Sequence, residues 1–257
     1  MLHLLKRHPV PITAWFDDVL VLTYALPEEV LAPLLPPGLV LDSWHGSGFV
    51  AIALVQTRGL RPVFLPPAFG QDFFLTGYRI FSRLRTGSGR SLRGLRILRS
   101  DTDRRLMVAM GNLLTHYQYR RAHVELARTD SGVEVRVRTP RAKADVHVIA
   151  NLSPDGEGWL PDGSPFRTVE EARRFAGPLP HTFDYESQTR SIVVIKGVRS
   201  NWQPRPVPVE VHEAGFFRQP AFQGAAPILA SAFHLRGVPY RWERGVRVPL
   251  PSEGGAA

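Results

Sequence analysis

Apolar and polar residues alternate with a period of two along much of this chain, most clearly where Val133, Val135 and Val137 face Glu134, Arg136 and Arg138. Such alternation predicts an antiparallel strand with one buried and one wet face. Strand-like runs also cover Val19 to Tyr24, Phe49 to Gln56, Phe73 to Leu84, Leu92 to Leu98, Leu106 to Met110, Val146 to Ala150, Ile192 to Val198 and Val207 to Val211. Turn clusters such as Thr86-Gly87-Ser88-Gly89 separate them and suit hairpins. Two short helices are predicted. Pro27-Glu28-Glu29 opens the first and Pro36-Pro37-Gly38 stops it. Thr168 followed by Glu171 makes a capping box for the second, which ends at Gly177-Pro178. The pattern is a mainly β (β-rich α+β) chain, an antiparallel barrel or a sandwich with a few short helices. No repeat or linker divides it, so we expect one domain over residues 1–257 with its core at about 11–249. A boundary near Asn151 to Pro165, where Asp, Gly and Pro gather, is the alternative.

Composition narrows the chemistry. With 44% hydrophobic and 21% charged residues among 257, the chain is neither disordered nor a membrane protein. The start carries no apolar run of signal-peptide length, and we expect a cytoplasmic protein. The absence of cysteine removes disulfides, thiolate zinc sites and cysteine nucleophiles together. Nine scattered histidines lack the spacing of a helical zinc motif, and no phosphate or dinucleotide glycine loop is present, so neither metal nor cofactor is expected. Lys+Arg 32 against Asp+Glu 23 gives a net charge of +9, almost all of it arginine, since the lysines are Lys6, Lys143 and Lys196. The region from Arg83 to Arg105 is the densest in arginine, and a polyanion is one reading of it. It lacks the aromatic stacking or zinc-finger spacing of nucleic-acid binders, which argues against nucleic acid as the partner and for a solvated sheet face.

Three places break their local pattern. Arg79 shares strand phase with Phe73, Leu75, Gly77 and Phe81, which carries a guanidinium inward if that face is internal. Lys196 shares phase with Ile192 and Val194 and is a candidate amine nucleophile, with a solvent-reaching lysine as the alternative. The third is the run His116-Tyr117-Gln118-Tyr119-Arg120-Arg121, whose rings suit either acid–base roles or a packed rim.

A family resemblance then enters. Leu22-Thr23-Tyr24-Ala25-Leu26-Pro27-Glu28-Glu29-Val30-Leu31, Leu35-Pro36-Pro37-Gly38-Leu39 and Gly48-Phe49-Val50-Ala51-Ile52-Ala53 resemble the opening of acetoacetate-decarboxylase-like proteins, in particular their uncharacterised DUF2071 branch. Gly77-Tyr78-Arg79-Ile80-Phe81, Leu98-Arg99-Ser100-Asp101, Tyr117-Gln118-Tyr119 and Trp202 with its prolines follow in the same order. The resemblance covers about Pro11 to Pro249. It implies a β-barrel with an internal pocket that, in the decarboxylase, holds a Schiff-base lysine. By the same resemblance Tyr119 occupies the nucleophile position, Ala51 the place of a pocket glutamate, and Asp17 that of a substrate-binding arginine. Tyrosine forms no imine, which argues against decarboxylation by that route.

The leading expectation is therefore a small-molecule-binding protein for a carboxylate- or carbonyl-bearing apolar ligand. Arg79 would face inward beside an acid, Asp101 by first choice, with Tyr117, Tyr119 and Trp202 lining or closing the pocket. The rival is a lyase of the aldolase or dehydratase type, with Tyr119 or His116 as acid–base and Arg79 on an oxyanion, or a Schiff-base variant through Lys196. Open sheet edges or a barrel rim would support self-association into a homo-oligomer.

Overall fold

A computed structural model describes residues 2–86, 89–153, 158–176 and 179–251, with side chains from residue 4 onward. Gly87 and Ser88 of the expected turn, the helix stop at Gly177-Pro178, and 154–157 within the candidate boundary lie outside the described residues.

In chain order the strands are β1 (Ile12–Pro27), β2 (Leu39–Leu41), β3 (Ser47–Pro62), β4 (Gln71–Arg85), β5 (Ser91–Thr102), β6 (Tyr119–Arg121), β7 (His123–Arg128), β8 (Gly132–Arg138), β9 (Val146–Asn151), β10 (His181–Glu186), β11 (Ser191–Arg199), β12 (Arg205–Pro206), β13 (Val209–Ala214), β14 (Ile228–Trp242) and β15 (Val246–Pro249). Among the described residues they form an eleven-stranded and a four-stranded sheet. The larger runs β12-β14-β1-β3-β4-β5-β10-β11-β15, and a further pairing of β11 with β14 makes β14, β1, β3, β4, β5, β10 and β11 a ring of hydrogen-bonded neighbours. Two pairings depart from the expected antiparallel pattern, because within the ring β10 joins β5 in parallel and beside it β6 does the same. The excursions that follow β5 allow both: a parallel partner needs a crossover rather than a hairpin.

The ring strands are buried on both faces. Leu20, Leu22, Tyr24, Val50, Ile52, Leu54, Tyr78 and Ile80 face outward onto the smaller sheet, where Val133, Val135, Val137, Val146 and Val148 complete one core. The opposite face is the ring's interior. It carries an aromatic cluster around Phe49, Phe81, Phe166 and Phe175, and further clusters around Val19, Val55 and Leu235 and around Ile97, Tyr117, Val193 and Ile195. Double burial explains why the ring strands read as continuous apolar runs, while β8, half exposed, shows clean alternation.

The helices are α1 (Leu2–Leu5), α2 (Glu28–Leu31), α3 (Arg105–Leu114) and α4 (Val169–Ala176). The second and fourth sit where proline and the capping box place them, and Thr168 Oγ1 accepts from the Glu171 amide at 3.2 Å. The third corrects the sequence reading, for Leu106 to Met110 is helix rather than strand. Met107 and Gly111, four apart, are its buried stripe, and its residues are largely helix formers.

Candidate functional site

Arg79 is the starting point. Its β4 neighbours in phase, Phe73, Leu75, Gly77 and Phe81, pack in the ring interior or open space there. Register places Ala51 across from Arg79, Ala53 across from Gly77, and Ile97 on the far side. Small residues thus surround the arginine, and its guanidinium folds back over Gly77. A Cβ at Gly77 would lie 2.9 Å from Arg79 Nε and 3.0 Å from Nη2. Nε is buried without a hydrogen-bond partner. Burial lowers the Arg79 pKa, opposed by Tyr240, Tyr119 and Tyr117, and no carboxylate contributes. A guanidinium stays charged even so. An enclosed charge with no counter-ion costs several kcal/mol, which marks the position as unusual.

The phenols named by that field converge from two directions. Tyr117 comes from the turn after α3 and Tyr119 opens β6, held where the Tyr119 amide donates to Asn112 Oδ1 and Asn112 Nδ2 donates to the Tyr119 carbonyl, each at 2.9 Å. The Tyr119 ring lies on Gly111, where a Cβ would come within 2.3 Å of it. Burial raises the Tyr119 pKa to about 12, with Arg79 opposing, and holds Tyr117 well above the ordinary phenol range. Both are therefore neutral donors at physiological pH, and the Tyr117 hydroxyl has no partner. From the other side, Tyr240 on β14 sits across from Arg199 on β11. Arg199 Nη1 donates to the Tyr240 hydroxyl at 3.2 Å, and its guanidinium lies 4.5 Å over the Trp202 ring and 5.7 Å from that of Tyr240. Gly197 permits this: a Cβ there would stand 2.1 Å from the Tyr240 hydroxyl. Burial lowers the Arg199 pKa, and Arg79 lowers it further.

Arg79, Tyr117 and Tyr119 therefore come together, and Trp202 joins them through Arg199. Asp101 does not. It lies on the opposite face of the ring wall, where Arg99 Nε donates to both its carboxylate oxygens at 2.9 Å. Its pKa is raised to about 6 by burial, with Arg99 opposing. A register shift between Tyr78 and Arg79 inserts Leu98 as an extra residue in β5, and the bulge moves Arg99 and Asp101 off the face of Arg79. Lys196 is exposed in the second half of β11, which is the solvent-reaching alternative and not the inward nucleophile. Lys143 is also exposed and Lys6 half-buried, leaving no lysine in the core. His116 is tied to β10, its amide donating to Asp184 Oδ2 at 2.9 Å and its Nε2 buried without a partner. Burial holds its pKa below the ordinary value. Asp17 is at the surface, bonded to Arg58 at 2.6 Å.

Four of the eight arginines between Arg83 and Arg105 are paired with buried acids. Arg83 and Arg93 share Asp42 at 2.6 Å each, Arg96 binds Asp184 at 2.5 Å, and Arg99 holds Asp101. Three cavities of about 480, 430 and 520 Å³ open elsewhere, and none of the three is lined by Arg79, Tyr119 or Arg199. Among the described residues there is no cluster suited to a metal ion, and no helix is long and apolar enough to cross a membrane.

Sequence reasoning missed Arg199, Tyr240 and the glycines that make room for the rings. The available signal was the phase Val193, Ile195, Gly197, Arg199, which ends an apolar strand face on a glycine and an arginine.

The family model DUF2071, described as an uncharacterized conserved protein, matches residues 13–235. No curated protein matches the chain in sequence. Among solved structures it is similar to acetoacetate decarboxylase from Legionella pneumophila (12% identity, TM-score 0.59, covering 93% of this chain and 88% of that one). It is likewise similar to an acetoacetate decarboxylase-like enzyme from Sphingomonas wittichii (15%, 0.57, 95% and 94%). A third is the enduracididine biosynthesis enzyme MppR complexed with pyruvate (12%, 0.57, 93% and 90%).

Proposed function

This chain belongs to the DUF2071 family and has the acetoacetate-decarboxylase-like fold, and on that footing we propose that it binds a small carboxylate- or carbonyl-bearing ligand inside its strand ring, without a Schiff-base lysine. One observation carries the reading: Arg79 is enclosed on the inner face, unpaired, with neutral phenols around it. Arg79 is desolvated enough for its pKa to fall, yet it keeps accessible surface, as Tyr119, Arg199 and Tyr240 also do. That combination is expected of side chains bordering an enclosed gap rather than filling a solid core. A carboxylate would take the guanidinium fork, and the phenols would donate to its second oxygen or to a neighbouring carbonyl. The apolar body would rest against Ile97, across from Arg79 and backed by Val193 and Ile195.

Lysine imine chemistry fits poorly, since none of the three lysines is buried. A second reading, a lyase without a Schiff base, draws on Tyr119 as a neutral phenol under the field of Arg79, which would protonate an enolate that the arginine stabilises. His116, tied to β10, is the weaker acid–base candidate.

Thermal-shift titration of the purified chain with monocarboxylic and 2-oxo acids tests the binding reading. Stabilisation by at least one such acid, lost in Arg79→Met, is the expected result. Stabilisation that persists in Arg79→Met would place the ligand elsewhere and end the proposal. Turnover of a keto acid that vanishes in Tyr119→Phe while binding survives would establish the lyase.

A further inference from the structure

Resting on that reading, we propose that the inner site takes a dicarboxylate, one carboxylate held by Arg79 and the other by Arg199. The two guanidinium groups come from different strands of the ring, β4 and β11: Ile97, across from Arg79, packs in one cluster with Val193 and Ile195, whose phase on β11 continues to Arg199, and Arg199 itself donates to the Tyr240 hydroxyl. Neither has a carboxylate within salt-bridge distance among the described residues, whereas Arg83, Arg93, Arg96 and Arg99 of the dense region do. Burial keeps the phenols of Tyr117 and Tyr119 neutral, so they cannot balance two cations. Two like charges in a shared, partly desolvated space repel, and each lowers the other's tendency to stay there. A monocarboxylate would neutralise one and leave the second exposed to the first.

The surroundings hold the two cations apart and ready. The Arg199 guanidinium lies 4.5 Å over the Trp202 ring, the Tyr240 hydroxyl accepts one of its N–H groups, and Gly197 leaves room for the phenol. Arg79 is folded over Gly77 on the opposing wall. Because the charges sit on separate walls, the geometry favours two separated acidic groups over one compact dianion.

Isothermal titration of the full chain tests this with matched pairs: 2-oxoglutarate against 2-oxohexanoate, and phthalate against 2-methylbenzoate, with sulfate as the compact dianion. Each dicarboxylate should bind about tenfold or more tightly than its partner, the worth of one charge-assisted contact. Arg199→Gln should bring each pair to within about twofold while monocarboxylate binding remains, and Arg79→Gln should abolish both. Should Arg199→Gln fail to fold, Arg199→Lys, which keeps the charge and loses the fork, should retain part of the ratio. Equal binding within the pairs, a ratio unchanged by either Arg199 variant, or sulfate binding as tightly as the dicarboxylates would overturn the inference and leave the monocarboxylate reading intact. Binding by none of the four acids would remove both.

Discussion

Arg79 and Arg99 occupy neighbouring strands of one wall and meet opposite fates. Arg99 faces the smaller sheet, 3% exposed, and is closed by a two-oxygen contact with Asp101 beside the stacked Tyr78 and Phe216. Arg79, on the inner face, has alanines and glycine around it and no acid. The fold can evidently supply a carboxylate to a buried arginine, and does so one strand away. Withholding it on the inner face is what one expects where an outside anion completes the charge.

The sharpest way to break this comparison is to remove one member from each side. Asp101→Ala strands Arg99 in the core and should cost about 3–5 kcal/mol in urea unfolding. Arg79→Met removes an uncompensated charge at similar volume and should instead stabilise the chain by about 1–2 kcal/mol. Should Arg79→Met destabilise as much as Asp101→Ala, Arg79 is a structural charge like its neighbour and the contrast disappears.

A pH titration sharpens the same contrast at the edge of the inner site. His8 is buried against Tyr117 with ring centroids 6.4 Å apart, its Nδ1 unpartnered, and burial lowers its pKa to about 4. The folded state favours neutral imidazole, whereas the unfolded chain protonates near pH 6.5. The contribution of His8 is therefore complete above about pH 6.5 and lost as pH falls toward 4. It amounts to about 3 kcal/mol from the size of the shift. Asparagine tolerates the left-handed backbone at this position (φ 56°), so His8→Asn should flatten that limb of the stability curve. A limb unchanged in His8→Asn would show that the imidazole is already solvated.

What the sequence made legible follows from burial. Arg79 could be placed inward because it falls between apolar and small residues of its own phase, Phe73, Leu75 and Gly77 before it and Phe81 after it. Val133, Val135 and Val137 announced a half-wet strand for the same reason. Asp101 was misassigned because a bulge has no period: the extra Leu98 reverses the face of everything after it. Arg199 and Tyr240 were hidden because their closeness depends on β11 meeting β14, a long-range pairing that periodicity does not encode. In β11 itself both phases are apolar, Ile192 and Val194 on one side and Val193 and Ile195 on the other, so the direction of Lys196 could not be read.

That ambiguity yields the smallest expected effect. Lys196 faces away from the cluster, since Gly197 and Arg199 occupy the inward phase and Lys196 falls between. An exposed lysine loses little when shortened, so Lys196→Ala should change stability by no more than about 0.5 kcal/mol. Borohydride treatment with a 2-oxo acid should leave the mass of wild type and variant alike unchanged. An adduct present in wild type and missing in Lys196→Ala would mean that β11 can turn its other face inward, and the two-arginine interior would then be only one of two states of this wall.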